Sequence, residues 1–283
     1  MPAAALLLRT AATVMAAVAF SAPVPLPLPP FETPFGSSNA FDINNRGDIA
    51  GTHTDTGAFV LSAREFAPLG FDAPFSIALG INNRGDTVGV VDDLLVTRGF
   101  RRSRDGTLET VCVPGALRTV PNDINNQREI AGYFVEVLPN TDEQLHGFVL
   151  GRTGLRVLDN PFGEFHTAAE SINEAGTIVG WFGGDEDSPK SGFILSGESW
   201  TIVDYPGADS TWLTGIASDG TIVGYAFLPE AEITERGFVY RDGVFEDLSP
   251  GFIPQGINAT GTIVGSDFHV ALCVSRSRGR GCP

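Results

Sequence analysis

The residues whose types could do chemistry are four histidines, His53, His146, His166 and His269, and three consecutive acids, Asp185, Glu186 and Asp187. Imidazole moves protons near neutral pH, and clustered carboxylates offer oxygen ligands to calcium. Their spacing narrows little. The histidines fall in separate parts of the chain, with no cysteine at zinc-site spacing. The acidic run between Gly184 and Ser188 lacks the full calcium-loop pattern and reads equally as a solvated charge run, so calcium is the one cofactor it admits. Phe165, beside His166, and Trp212 have the aromatic character that stacks on a sugar or peptide, and equally the bulk that fills a core. No nucleophile elbow, phosphate loop, zinc-protease helix or dinucleotide fingerprint occurs. Carboxylates are numerous enough to supply a glycosidase pair, but number alone selects none of them.

Whatever positions these residues must be built from a repeat. Aligned on one isoleucine, the chain reads INNRGDIAG at Ile43, INNRGDTVG at Ile81, INNQREIAG at Ile124, INEAGTIVG at Ile172, IASDGTIVG at Ile216 and INATGTIVG at Ile257. The intervals are 38, 43, 48, 44 and 41 residues, the period of a four-stranded propeller blade. A Gly-Phe segment such as GFVLG at Gly147 or GFILS at Gly192 follows, and an Asp/Pro/Gly corner such as VLDNPFG or IVDYPGA closes the unit. Each unit therefore predicts four short strands. The expected fold is all-β: a six-bladed β-propeller of four-stranded antiparallel blades, with units starting near residues 37, 76, 118, 165, 210 and 251.

The last unit runs out before its fourth strand. The segment Phe31-Glu-Thr-Pro-Phe-Gly36 before the first unit occupies the place that Leu158-Asp-Asn-Pro-Phe-Gly163 holds before the fourth. An N-terminal strand completing the last blade is thus expected to close the ring. In the shared turn, glycine takes a left-handed position at Gly47, Gly85, Gly176, Gly220 and Gly261, and the asparagine after the isoleucine caps it. Arg128 stands where the other copies have glycine, at an expected cost of about 1 kcal/mol, and its turn is expected to open differently. The Arg-Gly-Asp at 46–48 and 84–86 is accounted for by this turn chemistry, with adhesion as the competing reading.

The units GINNRGDTVG and SINEAGTIVGWF, with GFILS and VDYPG, resemble the HAF-type extracellular repeats of secreted bacterial proteins, from roughly Phe31 to Val274. The resemblance implies a secreted, propeller-like protein and brings no catalytic residues. Ala217 and Ser218, where other units have asparagine, and Arg128 depart from its pattern.

Residues 1–21 have the layout of a secretory signal peptide: Arg9, an apolar run from Ala11 to Phe20, then small residues. A secreted or periplasmic location follows, with 22–276 as one propeller domain and 277–283 as a basic tail. The net charge of −16 argues against nucleic acid and anionic membranes as partners. Export permits a Cys273–Cys282 disulfide, while Cys112 reads as a buried small hydrophobe. The segments between second and third strands read as long and carry thirteen acids against Arg98, Lys190 and Arg236. The expected function is a monomeric, exported, non-catalytic binding module using that acidic face for a glycan or a basic protein or peptide. The competing reading is an extracellular carbohydrate-active hydrolase or lyase with a central-channel site. Convergence of His53, His146 and His166 at one channel mouth would favour chemistry, and dispersal would favour binding.

Overall fold

Each repeat turn closes in the same way. The Gly47 N–H donates to Asn44 O at 3.0 Å, the Asn44 N–H donates to Asp48 O at 3.0 Å, and the other five copies repeat both bonds. The five turn glycines have φ between 77° and 86°. Arg128 takes their place at φ 64°. Its N–H still reaches Asn125 O at 3.0 Å, so the third turn does not open differently.

A computed structural model describes residues 22–29, 37–63, 65–92, 96–140, 142–185, 188–229, 234–266 and 271–274. The signal segment, the basic tail, the Phe31–Gly36 segment, Glu186, Asp187, His269 and Cys282 lie outside them. After β1 (Val24–Pro25) come β2 (Ser38–Ile43), β3 (Ile49–His53), β4 (Gly57–Ser62) and β5 (Glu65–Pro68), then β6 (Phe75–Ile81), β7 (Thr87–Asp92), β8 (Thr97–Arg102) and β9 (Leu108–Val111). The third and fourth groups are β10 (Arg118–Ile124), β11 (Ile130–Val137), β12 (Glu143–Gly151), β13 (Gly154–Leu158), and β14 (His166–Ile172), β15 (Ile178–Gly183), β16 (Lys190–Ser196), β17 (Ser199–Val203). The chain then forms β18 (Ser210–Ile216), β19 (Ile222–Phe227), β20 (Glu235–Arg241), β21 (Val244–Asp247), β22 (Ile253–Ile257), β23 (Ile263–Ser266) and β24 (Ala271–Val274). Five four-stranded sheets use consecutive strands, and one further sheet has the order β1-β24-β23-β22, so that it draws on both ends of the chain. All pairings are antiparallel.

Two devices recur in the sheets. The inner strand carries a bulge two residues before the repeat isoleucine, at Phe41, Leu79, Asn122, Glu170, Thr214 and Gln255. A bulge leaves one residue unpaired and re-aims its side chain. Beside it, the second strand holds a glycine on which the third-strand phenylalanine lies: Gly132 pairs Phe148 and Gly180 pairs Phe193. A Cβ on Gly180 would stand 2.0 Å from Ala168 O and 3.0 Å from the Phe193 ring, so glycine is required by close approach. The aromatic side chain covers the backbone that the missing Cβ exposes. Phe59, Phe148, Phe193 and Phe238 are fully buried as a result.

The chain ends meet as expected in kind but not in place. Val24 pairs Cys273 and Pro25 pairs Leu272, so the closing strand precedes the Phe31–Gly36 segment to which the sequence assigns it. Leu26 then packs with Ala40, Ile43, Phe59, Leu61, Val264 and Cys273, joining the first sheet to the last. Proline is tolerated in β1 because this strand is outermost, with no further ladder to serve. Cys273 is disulfide-bonded. Cys112 is free and exposed, not buried: β9 ends at Val111, which takes the inward position instead.

The second-to-third-strand connections are shorter than the sequence suggests, because the strands run further. β11 reaches Val137 and β12 begins at Glu143, so Glu136 and Glu143 belong to strands and not to a loop. No helix of the described residues is long and apolar enough to cross a membrane.

Candidate functional site

The six bulge residues sit at one level of six inner strands that pack on one another around the ring. Leu79, Asn122 and Glu170, from three successive sheets, line one cavity of about 380 Å³. Its wall continues along the inner strands through Phe75, Ile77, Arg118 and Val120, with Val90, Asp92, Thr97 and Tyr133 from second and third strands. Such a volume holds a molecule of one or two rings.

Glu170 is the chemically distinctive group of this cavity. Trp181 Nε1 donates to its Oε1 at 2.8 Å, and Asn122 Nδ2 donates to its Oε2 at 3.1 Å. Burial pushes its carboxyl from 4.5 up to about 7, against the opposing hydrogen bond from Trp181. Near neutral pH it is therefore both an acceptor and, when protonated, a hydroxyl donor. Around it stand Tyr133 and Tyr225, whose phenols are pushed up by burial first and by the Glu170 charge second, that of Tyr225 to about 12. Both phenols stay neutral at any physiological pH and serve as hydrogen-bond donors on flat apolar rings.

Of the residues singled out in the sequence, Trp212 does not line this cavity but holds the equivalent place on the inner strand of the fifth sheet. It stands two residues before a bulge, as Ile77 and Val120 do in the cavity, and its ring stacks on Tyr225 at 4.8 Å and 13°. The histidines do not converge on the cavity. The His53 ring packs against Phe66 at 5.9 Å, with Nε2 at 3.2 Å from Pro29 O. His146 stacks on Phe134 at 5.0 Å, and its Nδ1 meets Asp159 Oδ1 at 2.7 Å. His166 Nδ1 accepts the Leu145 N–H at 3.1 Å, while Phe165 O accepts from Gln144 Nε2 at 2.9 Å, so this pair staples the fourth sheet to the third. Burial first, and the Lys190 and His146 charges after it, hold the His166 imidazole below its ordinary range.

Asp185, the one described acid of the run, sits in a loop that holds a cation of the chain's own. Lys190 Nζ donates to Gly184 O at 3.1 Å, Asp185 O at 2.5 Å and Ser188 O at 2.7 Å. Three carbonyls of the Asp185 loop thus converge on an ammonium that is 8% exposed. Among the described residues no three His, Cys, Asp or Glu side chains are grouped so that they could hold a metal ion.

The opposite end of the ring is a polar seam. Asn44 Nδ2 donates to Asn82 O, Asn82 to Asn125 O, Asn125 to Asn173 O, Asn173 to Ala217 O, and Asn258 back to Asn44 O, at 3.0 to 3.4 Å. Each asparagine Oδ1 also accepts two N–H groups of its own turn, as Asn44 does from Arg46 and Asp48. Beneath lies a small cavity of about 60 Å³ lined by all six turns. Into it face Asp42, whose carboxylate accepts from Ile43 and Ile81 N–H, and Asp123, which accepts from Ile124 N–H, Ser171 Oγ and Ile172 N–H. Burial raises both carboxyls, and the Asp123 charge raises Asp42 further.

This seam uses up the acids of both Arg-Gly-Asp copies. Asp48 Oδ2 accepts from Asn44 and from Arg46 of its own tripeptide, and Asp86 Oδ2 from Asn82 and Arg128. Asp86 is 2% exposed, so the second copy presents no carboxylate to a receptor.

No family model matches the chain, and no curated protein matches it in sequence. Solved structures do match. A streptogramin B lyase is similar at TM-score 0.51 and 12% identity over 90% of this chain and 97% of that one. A gluconolactonase from Xanthomonas campestris is similar at TM-score 0.52 and 12% identity, over 84% and 86% of the two chains. The β-propeller domain of the trilobed protease from Pyrococcus furiosus is similar at TM-score 0.51 and 9% identity, over 87% and 96%. These likenesses show the fold, an all-β propeller with four-stranded antiparallel blades. The last is described as an open velcro topology, whereas here β1 and β24 pair across the chain ends.

Neither the bulge ring nor Glu170 was singled out from the sequence. Aligning the units gives only the place: the residue two before the repeat isoleucine is Phe41, Leu79, Asn122, Glu170, Thr214 or Gln255, a position without consensus.

Proposed function

We propose that this protein is an exported, six-bladed propeller of the HAF-repeat kind that binds a small, ring-bearing, hydroxylated molecule in its channel without transforming it. The observation that carries the reading is the Glu170 carboxyl, held by Trp181 and Asn122 in a cavity of about 380 Å³ whose surroundings are aromatic. Flat rings supply apolar stacking, and one carboxyl near its midpoint supplies the orienting hydrogen bond. A saccharide has both complementary surfaces. His53 lies apart from His146 and His166, and none of the three lines the cavity, which supports binding over chemistry. Calcium is not needed for this reading, because Lys190 already neutralises the carbonyls of the Asp185 loop.

Titration of the mature protein with neutral mono- and disaccharides, followed by tryptophan fluorescence, tests it. Saturable quenching or enhancement is expected, lost in Trp181→Ala and weakened about tenfold in Glu170→Ala. No saturable change with any neutral saccharide, or equal affinity in both variants, would sink it.

A second reading is favoured by Glu170 itself, since a carboxyl near pH 7 suits a general acid. Hydrolysis of a chromogenic glycoside, with a rate falling above about pH 7 and absent in Glu170→Gln, would establish an enzyme instead.

A further inference from the structure

A charge anomaly of this acidic molecule lies on the repeat-turn side, between the second and third sheets. A groove of about 720 Å³ there is walled by Arg84, Arg101, Arg128 and Arg152, with Asn126, Gln127 and Thr153 between them and Glu129 as its one acid. Glu129 is engaged, its Oε2 accepting from Asn125 Nδ2 at 2.8 Å. Arg128 is spent on Asp86 at 3.0 Å, and Arg101 shares one terminal nitrogen with Glu109 at 2.6 Å. Arg84 and Arg152 are exposed, and among the described residues their guanidinium groups have no hydrogen-bond or ion-pair partner. The buried Nε of Arg101 has no acceptor either. Arg84 also lies close enough to Glu174 to lower that carboxyl against the effect of its burial.

Four guanidinium groups line one groove in a chain of net charge −16, and two of them, Arg84 and Arg152, have no ion-pair partner among the described residues. Arginine forks match planar or tetrahedral oxyanions by paired hydrogen bonds. The groove is far larger than one phosphate, and Asn126, Gln127 and Thr153 add neutral donors and acceptors of the kind that meet sugar hydroxyls. We propose that this groove binds an acidic oligosaccharide, with Arg84 and Arg152 taking its carboxylate or sulfate groups. Arg84, the arginine of the second Arg-Gly-Asp, then acts through its charge and not as part of an adhesion tripeptide. This site is separate from the channel around Glu170 and does not rest on the reading given there.

Calorimetric titration of the mature protein tests the assignment with four probes: an oligogalacturonate trimer, a sulfated disaccharide, a neutral trisaccharide and inorganic sulfate. Binding of the uronate, the sulfated sugar or both is expected, the pair telling which oxyanion is preferred. That binding should weaken at least tenfold in Arg84→Gln/Arg152→Gln, and weaken as salt rises from 50 to 200 mM. The unpartnered state of both arginines predicts an unchanged melting temperature for the double variant, so lost binding is not lost folding. Trp181→Ala should leave acidic-sugar binding intact. The assignment is overturned if no acidic sugar binds, if the double variant binds equally well, if the neutral trisaccharide competes, if sulfate alone binds, or if Trp181→Ala abolishes the signal.

Discussion

Glu170 shows how a single side chain ties function to stability. Its carboxyl ionises near 4.5 in the unfolded chain and near 7 in the channel. Between those values the folded state keeps a proton that the unfolded state releases, so stability falls as pH rises across that window. The full cost, reached above about pH 7, is on the order of 3 kcal/mol for a shift of this size. Asp42 and Asp123, both raised, add slope of the same sign. Glu170→Gln isolates one contribution: its melting temperature should exceed the parent's at pH 8 and match or fall below it at pH 4. A constant difference across pH would place the carboxyl's cost elsewhere. Lys190 makes the opposite case, a charge that binds its own loop. Removing it in Lys190→Met leaves three carbonyls without their donor and should cost about 2–4 kcal/mol in urea unfolding. Fast proteolysis confined to the loop at 184–189 should accompany the loss, and an unchanged cleavage pattern would refute the role.

At the scale of the element, the repeat turn is the unit of assembly. One asparagine caps its own turn through Oδ1 and reaches the next sheet's carbonyl through Nδ2, so local and long-range order come from the same side chain. The chain breaks this pattern once: Ala217 cannot donate to Asn258 O, and Asp219 caps the turn in its stead, accepting from Thr221 N–H at 3.0 Å. Ala217→Asn should restore the missing link and raise stability by about 1 kcal/mol, the net worth of one such bond. A lower melting temperature would mean that the tight contacts of Ala217 with Val223 and Ile257 outweigh the bond. The turns were legible in the sequence because Ile-Asn-x-x-Gly states its own geometry. The Arg128 copy shows where such reading stops. Its φ of 64° is held by a chain-distant partner, Asp86, which local propensity does not register. The channel was illegible for a related reason: bulge residues carry no consensus, and Glu170 acquires its raised carboxyl from burial among other strands, where Trp181 and Asn122 hold it. His146 and His166, by contrast, attract notice by type but are occupied in joining strands and sheets.

Across the whole molecule, closure is made twice and at different radii. Near the axis, Asn258 Nδ2 donates to Asn44 O at 3.2 Å and Ala259 N–H to Asn45 Oδ1 at 2.8 Å. There the backbones of the last and first sheets are so close that a Cβ on Gly256 would stand 2.7 Å from Asp42 Cα. At the outer edge, β1 pairs β24 through Val24 and Pro25, Leu26 fills the seam at 7% exposure, and Pro29 O meets His53. The inner closure repeats a contact made at five of the six junctions between neighbouring sheets, whereas the outer one is unique to the chain ends. A chain truncated to start after residue 29 therefore loses only the second. Burial of one leucine and a short ladder predict a loss of about 3–5 kcal/mol, with the ring still shut at its axis. Hydrogen exchange reads the difference by location. Amides of β2–β5 and β22–β24 should lose protection, while those of β10–β17, on the far side of the ring, keep theirs. Even loss around the whole ring would mean that a single closure holds it, and no loss in the first and last sheets would mean that β1 contributes nothing to it.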